Sequence, residues 1–327
     1  MKLGIFCFFY NRESEVNNCV QSLLDAAPVN CKIILVDDGS SDGTRSRLKQ
    51  FIDSRVVILT QKNKGFTKSL SELIPNMIRK YSFEYISIHG SGDLCNEKKF
   101  LKQLDYLEDN REVVALGTGH ETISGYSRKT IRLDKGYLQV EKESLLGGVP
   151  FTHGTVMYRS DSFLKAGGYD DRFLFCQDWE LYFRLLEIGQ IRRLPDVLYS
   201  KFIFEDGASF KPRKKVMQLK YRALIKSREL SDEDFYNNLD RLEKKDIKIL
   251  YPDKIFLGKF KRLRKDLILK GEFNLAAEWC EIINETTGRK GKALKKYLLF
   301  IHSIRLPGLV LPAVYKRLRL FKRRLKL

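Results

Sequence analysis

Long apolar runs are missing from this sequence: charge interrupts every stretch well before the ~18 residues that a membrane-crossing helix needs. The opening Met1-Lys2-Leu3-Gly4-Ile5-Phe6-Cys7-Phe8-Phe9 has the look of a secretory leader. Its apolar run is too short, however, and Asn11-Arg12-Glu13 follows with no small-residue cleavage site, so a buried first strand is expected. Paired cysteines are also missing. Cys7, Cys19, Cys31, Cys95, Cys176 and Cys280 form no Cys-x-x-Cys, which removes the main support for a zinc ribbon or a thioredoxin-like site. Cys7 and Cys31 fall inside apolar runs, where cysteine behaves as a small hydrophobe. A reducing cytoplasm is the expected compartment.

Acidic residues are missing from one region only: from Gly291 to the end there is none. Residues 1–210 hold 28 Lys+Arg and 28 Asp+Glu, whereas residues 211–327 hold 32 and 13, the whole of the +19 excess. A neutral first region and a basic second one predict two parts with different tasks. With 327 residues, 43% of them apolar, the chain has material for one large domain and an appendage.

What is present alternates. Strand patterns at Lys2–Phe9, Lys32–Val36, Val56–Leu59 and Tyr85–Ile88 are separated by helical patterns at Glu13–Asp25, Gly43–Phe51 and Thr67–Lys80, and Glu97–Asp109 follows. Such alternation predicts a mostly parallel sheet covered on both faces. After Val113 short strand runs follow at Val113–Thr118, Thr155–Tyr158 and Val197–Phe204. A helix from Trp179 to Ile188 carries an apolar stripe of Trp179, Tyr182, Phe183 and Leu186. Glu205-Asp206-Gly207 marks the expected domain end, giving a catalytic region 1–206 and a basic, mainly helical region 207–327. The latter has helical patterns at Val216–Glu229, Asp232–Lys245, Phe256–Leu269 and Phe273–Ile283.

Three motifs could carry chemistry, the first two of them where strands end. In Val36-Asp37-Asp38-Gly39-Ser40-Ser41-Asp42-Gly43-Thr44, carboxylates lie beyond the carboxyl end of a strand, where parallel α/β sheets bind ligands. Asp42 is accounted for as a helix cap, but the adjacent Asp37 and Asp38 are not, and they fit contacts to a nucleotide base or ribose. In Ile88-His89-Gly90-Ser91-Gly92-Asp93 the glycines allow backbone N–H groups to approach a diphosphate, and Asp93 is an oxygen ligand for a hard cation; a plain glycine turn is the alternative. In Cys176-Gln177-Asp178-Trp179-Glu180-Leu181, Asp178 opens a helix, as an N-cap or as a general base for an attacking hydroxyl. His153 lies just before a strand and is either structural or part of an acceptor cleft.

In this order the motifs resemble those of the family-2 glycosyltransferases with the GT-A fold. The matches are Phe9-Tyr10-Asn11-Arg12, the Val36–Thr44 run, Asn63-Lys64-Gly65-Phe66-Thr67-Lys68-Ser69-Leu70, Gly90-Ser91-Gly92-Asp93, Gly167-Gly168-Tyr169-Asp170 and Gln177-Asp178-Trp179-Glu180-Leu181, spanning roughly residues 1–204. The resemblance implies a Rossmann-like α/β fold, with a mixed, mostly parallel sheet flanked by helices and a C-terminal helical basic extension. It implies inverting transfer of a sugar from a nucleoside-diphosphate donor, a UDP-sugar in the first instance, to a hydroxyl of a surface-glycan or lipid-linked precursor. Tyr10, Asn11, Asp37 and Asp38 would hold the nucleotide. Lys68 would lie near the diphosphate, Gly92 and Asp93 would form the donor loop, and Asp178 would be the base. Trp179 joins His153 as a candidate acceptor residue. The family's metal loop carries an Asp-x-Asp and a further Asp; here Gly90 and Gly92 occupy the first two carboxylate positions and Asp93 alone remains. A Mg2+ or Mn2+ ion would then lean on Asp93, the donor diphosphate and water, or Lys64 or Lys68 would neutralise the leaving group instead.

The end of the chain places Val314, Leu318, Phe321 and Leu325 at helical spacing among seven Lys and Arg residues. That is a basic amphipathic pattern, suited to an anionic membrane surface and to a peripheral enzyme at the inner face of the cell membrane. A solvated helix packed on the domain is the alternative. Nucleic acid ranks last, because no aromatics are interleaved for base stacking. A nucleotidyltransferase on a related fold would need a glycine-rich basic loop where Phe9-Tyr10-Asn11-Arg12 stands. A catalytically impaired nucleotide-sugar-binding or membrane-tethering protein is the non-enzymatic alternative.

Overall fold

A computed structural model describes residues 1–124, 127–131 and 137–204, with separate helical positions between 214 and 280. The chain divides into two compact units, Met1–Phe204 and Glu205–Leu327.

The first unit begins with β1 (Leu3–Phe9), all seven residues of which are buried. Its unbroken apolar run suits a strand covered on both faces. α1 (Val16–Ala26) follows, then β2 (Cys31–Asp37), α2 (Thr44–Leu48), β3 (Val56–Thr60), α3 (Phe66–Tyr81) and β4 (Tyr85–Gly90). β1 pairs in parallel with β2 on one side and β4 on the other, and β2 pairs in parallel with β3. α1 buries Val16, Cys19, Val20 and Leu23 at helical spacing against this sheet's core. Beyond β4 come β5 (Leu94–Cys95), α4 (Lys99–Asp109), β6 (Val113–Ser124), β7 (Ser127–Ile131), β8 (Leu138–Gln139) and α5 (Lys142–Gly147). A single 3-10 turn (His153–Thr155), β9 (Met157–Arg159), α6 (Ser160–Lys165), α7 (Gln177–Leu186) and β10 (Gln190–Phe202) complete the unit.

The strand order is β3-β2-β1-β4-β9-β6-β10-β5, with β7 on β6 and β8 on β10. β9 runs antiparallel to both β4 and β6, and β10 runs parallel to β6. β10 therefore points the same way as β1, β2 and β4, and the carboxyl ends of all four strands open on one edge of the sheet. The mixed, mostly parallel sheet agrees with the expected fold class.

The main difference from the sequence reading is β10. Only its second half carries strand-like alternation; Gln190–Asp196 includes two arginines and a proline. Register shifts after Gln190, Arg193 and Val197 accommodate those residues, as bulges do when an extra residue enters a strand.

In the second unit, the described helical positions bury Leu263 and Leu267, and Phe273, Ala276, Ala277 and Cys280, each set one helical stripe. The expected helix Asp232–Lys245 and the terminal amphipathic segment lie outside the described residues. Among the described residues no helix is long and apolar enough to cross a membrane.

Candidate functional site

The loops after β1 and β2 are laced together at the carboxyl edge. Asn11 adopts a left-handed conformation (φ 48°); its Oδ1 accepts from Ser41 N at 2.9 Å, and its own N–H donates to Ser40 Oγ at 3.0 Å. Asp37, nearly buried, closes the turn by accepting Ser40 N at 3.0 Å. Gly39 has a φ of 76°, and a Cβ there would stand 2.6 Å from Asn63 N, so the turn requires glycine. Asp38 gathers three donors on one oxygen: Gln61 Nε2 at 2.6 Å, Ser69 Oγ at 3.1 Å and Lys64 N at 3.2 Å, all on Oδ1. Among the described residues none donates to Oδ2. Tyr10 stands beside this turn with its side chain 48% exposed, available to a planar ligand. Asp42 precedes α2 by two residues and accepts Thr44 N at 3.0 Å, close to its expected capping role.

The loop after β4 differs from expectation. Asp93 is only 8% exposed, and both its oxygens are held from within. Tyr199 Oη donates to Oδ2 at 2.5 Å and Phe202 N donates to Oδ1 at 2.8 Å. Gly90 N donates to Tyr199 Oη at 3.0 Å, and His89 Nε2 lies 3.1 Å from the Asp93 carbonyl. Burial pushes the Asp93 carboxyl above its ordinary value, against the pull of the Tyr199 and Phe202 hydrogen bonds. The two glycines are sterically enforced. A Cβ at position 90 would collide with Asp93 Oδ2 and lie 2.9 Å from Tyr199 Oη. At position 92, where φ is +92°, it would stand 2.7 Å from the Phe204 ring. The residues present therefore do not fit a divalent cation. The positions that would supply two ligands have no room for side chains, and the one carboxylate left is turned inward. Among the described residues no three His, Cys, Asp or Glu side chains converge elsewhere.

Asp178 lies in the first turn of α7 but is not its N-cap. Cys176 holds that place in a left-handed conformation (φ 62°), and Asp178 Oδ1 accepts only the neighbouring Trp179 N at 2.9 Å. The capping explanation is thus displaced, and the carboxylate is partly buried. Its charge opposes the effect of burial on His153, whose imidazole is held below its ordinary value. With burial, it helps push the hydroxyls of Tyr158, Tyr169 and Tyr182 well above theirs. His153 Nε2 lies 2.6 Å from Tyr169 Oη, and its ring meets Phe66 edge-on at 6.0 Å. His153 thus joins Tyr169 to the start of α3.

One expected site residue stands elsewhere. Trp179 is fully buried; its indole N–H donates to the Leu145 carbonyl at 2.8 Å and its ring packs edge-on against Phe183. It belongs to the core stripe of α7, with no surface to offer an acceptor. Lys68 is 53% exposed and lies 4.0 Å from Glu72, which also holds Lys64 at 2.6 Å. Both lysines are directed at a carboxylate along α3. The sequence reading missed Gln61 and Ser69, which hold Asp38, and Tyr199 and Lys201 on β10, because isolated polar residues form no motif.

Comparisons with known proteins bear on the family and the fold. Residues 5–168 match the model of glycosyl transferase family 2. EpsE of Bacillus subtilis, named as a glycosyltransferase, is 28% identical over 219 residues, covering 65% of this chain and 76% of that protein. The amylovoran biosynthesis glycosyltransferase AmsE of Erwinia amylovora is 26% identical over 202 residues, covering 60% and 74%. Among solved structures, S. aureus TarS 1-349 in complex with UDP-GlcNAc superposes with a TM-score of 0.58 at 12% identity, covering 97% of this chain and 92% of that one. The mannosyltransferase PcManGT of Pyrobaculum calidifontis, in complex with GDP-Man and Mn2+, gives 0.54 at 13% identity, covering 98% and 81%. A GT-A sheet with its ordered motif loops on one edge, and a family match over half the chain, make this protein a glycosyltransferase of family 2.

Proposed function

We propose that the enzyme transfers a sugar, with inversion, from a nucleoside-diphosphate donor to a hydroxyl of a surface-glycan or lipid-linked precursor. One observation carries the reading: at the carboxyl end of β2, where parallel sheets bind ligands, Asp38 holds its three donors on Oδ1 and keeps Oδ2 free of donors among the described residues. Asp38 and Asn11 hold the base and ribose, Tyr10 lies against the base, and the diphosphate follows the 90–93 backbone. Asp178 takes the proton of the attacking hydroxyl, beside His153. The polysaccharide role in AmsE's name and the UDP-GlcNAc in the TarS complex favour a glycan acceptor and a UDP-sugar donor. The basic segment beyond Leu306 would hold the enzyme on an anionic bilayer, at the inner face of the cell membrane, where a lipid-linked acceptor is presented.

Loss of two metal carboxylates is what a donor-binding protein without turnover would display, but such a protein has no use for a carboxylate at Asp178, which does not cap its helix. A thermal-shift screen of nucleotide sugars, followed by assay of slow donor hydrolysis, separates the two. Stabilisation by one nucleotide sugar with release of the nucleoside diphosphate supports transfer. Stabilisation with no release, with or without candidate acceptors, would leave a binding protein.

A further inference from the structure

The misfit of the 90–93 loop to a metal leaves the donor's diphosphate without a counter-charge, and the fold supplies one elsewhere. Lys201 lies near the end of β10, on the carboxyl edge shared with β1, β2 and β4. Side chains two residues apart in a strand share a face, so Lys201 stands on the same side as Tyr199, one step further out. Tyr199 Oη reaches Gly90 and Asp93. Lys201 Nζ reaches Thr152 Oγ1 at 3.3 Å, next to His153. The ammonium therefore stands beside Thr152, on the face from which Tyr199 meets the donor loop.

Its electrostatic reach agrees with that position: burial moves the Asp93 carboxyl up and the His120 and His153 imidazoles down, and the Lys201 charge opposes the first shift and adds to the other two. Yet no carboxylate among the described residues comes within 4.0 Å of it, and a partly buried cation without an anion is a poor stability element. The other nearby lysines are committed. Lys64 and Lys68 face Glu72, and Lys99 is fully buried beneath the loop.

We propose that Lys201, and not a divalent cation, carries the positive charge that this enzyme sets against the donor diphosphate. The inference rests on the donor reading above. As the acceptor oxygen bonds to the anomeric carbon, the bond from that carbon to the β-phosphate oxygen breaks and the phosphate oxygen keeps the electron pair. The acceptor proton passes to Asp178. Lys201 keeps its protons and donates a hydrogen bond to the diphosphate as its charge grows, the arrangement in which a fixed cation contributes most.

The test is calorimetric titration of the full chain with UDP and with GDP, in excess EDTA and in Mn2+, paired with donor hydrolysis. The wild-type protein is expected to bind one of the two in EDTA, with affinity and turnover changed less than about threefold by Mn2+. Lys201→Met is expected to lose ~10–100-fold in affinity, the size of a lost charge-assisted hydrogen bond, and ~10²–10³-fold in turnover. Lys201→Arg, which keeps the charge, is expected to recover most of the affinity. Binding that vanishes in EDTA and returns with Mn2+ overturns the proposal while leaving the donor reading intact. Wild-type affinity in Lys201→Met also overturns it. Failure of both nucleotides under both conditions removes the donor reading and the proposal with it.

Discussion

Tyr199 holds Asp93 through a 2.5 Å hydrogen bond from its hydroxyl to Oδ2, and so fixes in the interior the one acid that the donor loop retains. Tyr199→Phe leaves that oxygen buried without its side-chain donor, at a cost of about 1–3 kcal/mol. The cost depends on pH. The folded Asp93 carboxyl already titrates above its ordinary value of 3.8, so between the two values the folded state binds more protons and stability falls as pH rises. Removing a donor that favours the charged form raises the folded value further and deepens that fall. Urea unfolding at pH 4 and pH 7 should give a larger deficit for Tyr199→Phe at pH 7. Equal deficits would mean that Asp93 does not titrate in the folded loop.

Restoring the family's carboxylate should not restore a metal. In Gly90→Asp the new Cβ would press on Asp93 Oδ2 and Tyr199 Oη, and a second acid would join a buried one. The expected result is a melting temperature lower by several degrees and no activation by Mn2+. A stable, Mn2+-activated Gly90→Asp enzyme would mean that the loop opens to make room for the side chain.

The sheet was legible in the sequence because its evidence is periodic. β1, β2 and β4 are apolar runs, and α1 and α4 repeat at helical spacing. The Asp37–Asp38 turn was legible because a helix cap at Asp42 leaves two adjacent acids at a strand end unexplained, although Asp37 proves to close the turn on Ser40 N. Asp178 was legible only by resemblance; by pattern it passed for an N-cap, and the cap proved to be Cys176 in a left-handed conformation that a sequence does not display. Trp179 misled because it adjoins a motif residue while pointing the other way on its helix. Tyr199 and Lys201 left no signal at all: they come together with Asp93 through a crossover of more than a hundred residues.

Asp178→Asn tests the proposed base. The amide keeps size and polarity but accepts no proton, so transfer to the true acceptor should fall ~10²–10⁴-fold while nucleotide affinity stays near wild type. Asp38→Ala should do the reverse, weakening nucleotide binding by about 1.5–3 kcal/mol through loss of a charged acceptor. Steady-state kinetics with calorimetry separates the two. Undiminished turnover in Asp178→Asn would remove it from the chemistry.

Lys99 is a fully buried basic side chain. Its Nζ lies 3.4 Å from Ser87 Oγ and over the rings of Phe100 and Tyr199, with no acid as partner. Burial pulls its ammonium down from 10.5 to about 8. Between those values the unfolded chain holds a proton that the folded chain has lost, so stability rises with pH across that window. Below pH 8 the folded state bears a penalty of about 3 kcal/mol. Lys99→Met, similar in length and uncharged, should be more stable than wild type at pH 7, with the gain shrinking by pH 10. Urea midpoints at the two pH values check this. A destabilised variant at pH 7 would reveal an anion beside Lys99.

The terminal basic segment makes the last prediction, which rests on sequence alone, since its residues lie outside those described. Residues 1–210 balance their charges, while the acid-free end sets Val314, Leu318, Phe321 and Leu325 among seven basic side chains. Pro307 and Pro312 separate this stretch from what precedes it, because proline rarely continues a helix. Each basic side chain near an anionic surface contributes about 1 kcal/mol, and salt screens that share. The apolar positions contribute a share that salt does not remove. The full chain should therefore sediment with phosphatidylserine-containing vesicles and release only in part at high salt. A chain ending before Pro307 should stay in the supernatant, fold, and still hydrolyse donor or glycosylate a soluble acceptor analogue. Sedimentation of the truncated chain would move membrane binding elsewhere in the molecule. Loss of its folding would make the segment part of the core, and the bilayer would then have no claim on it.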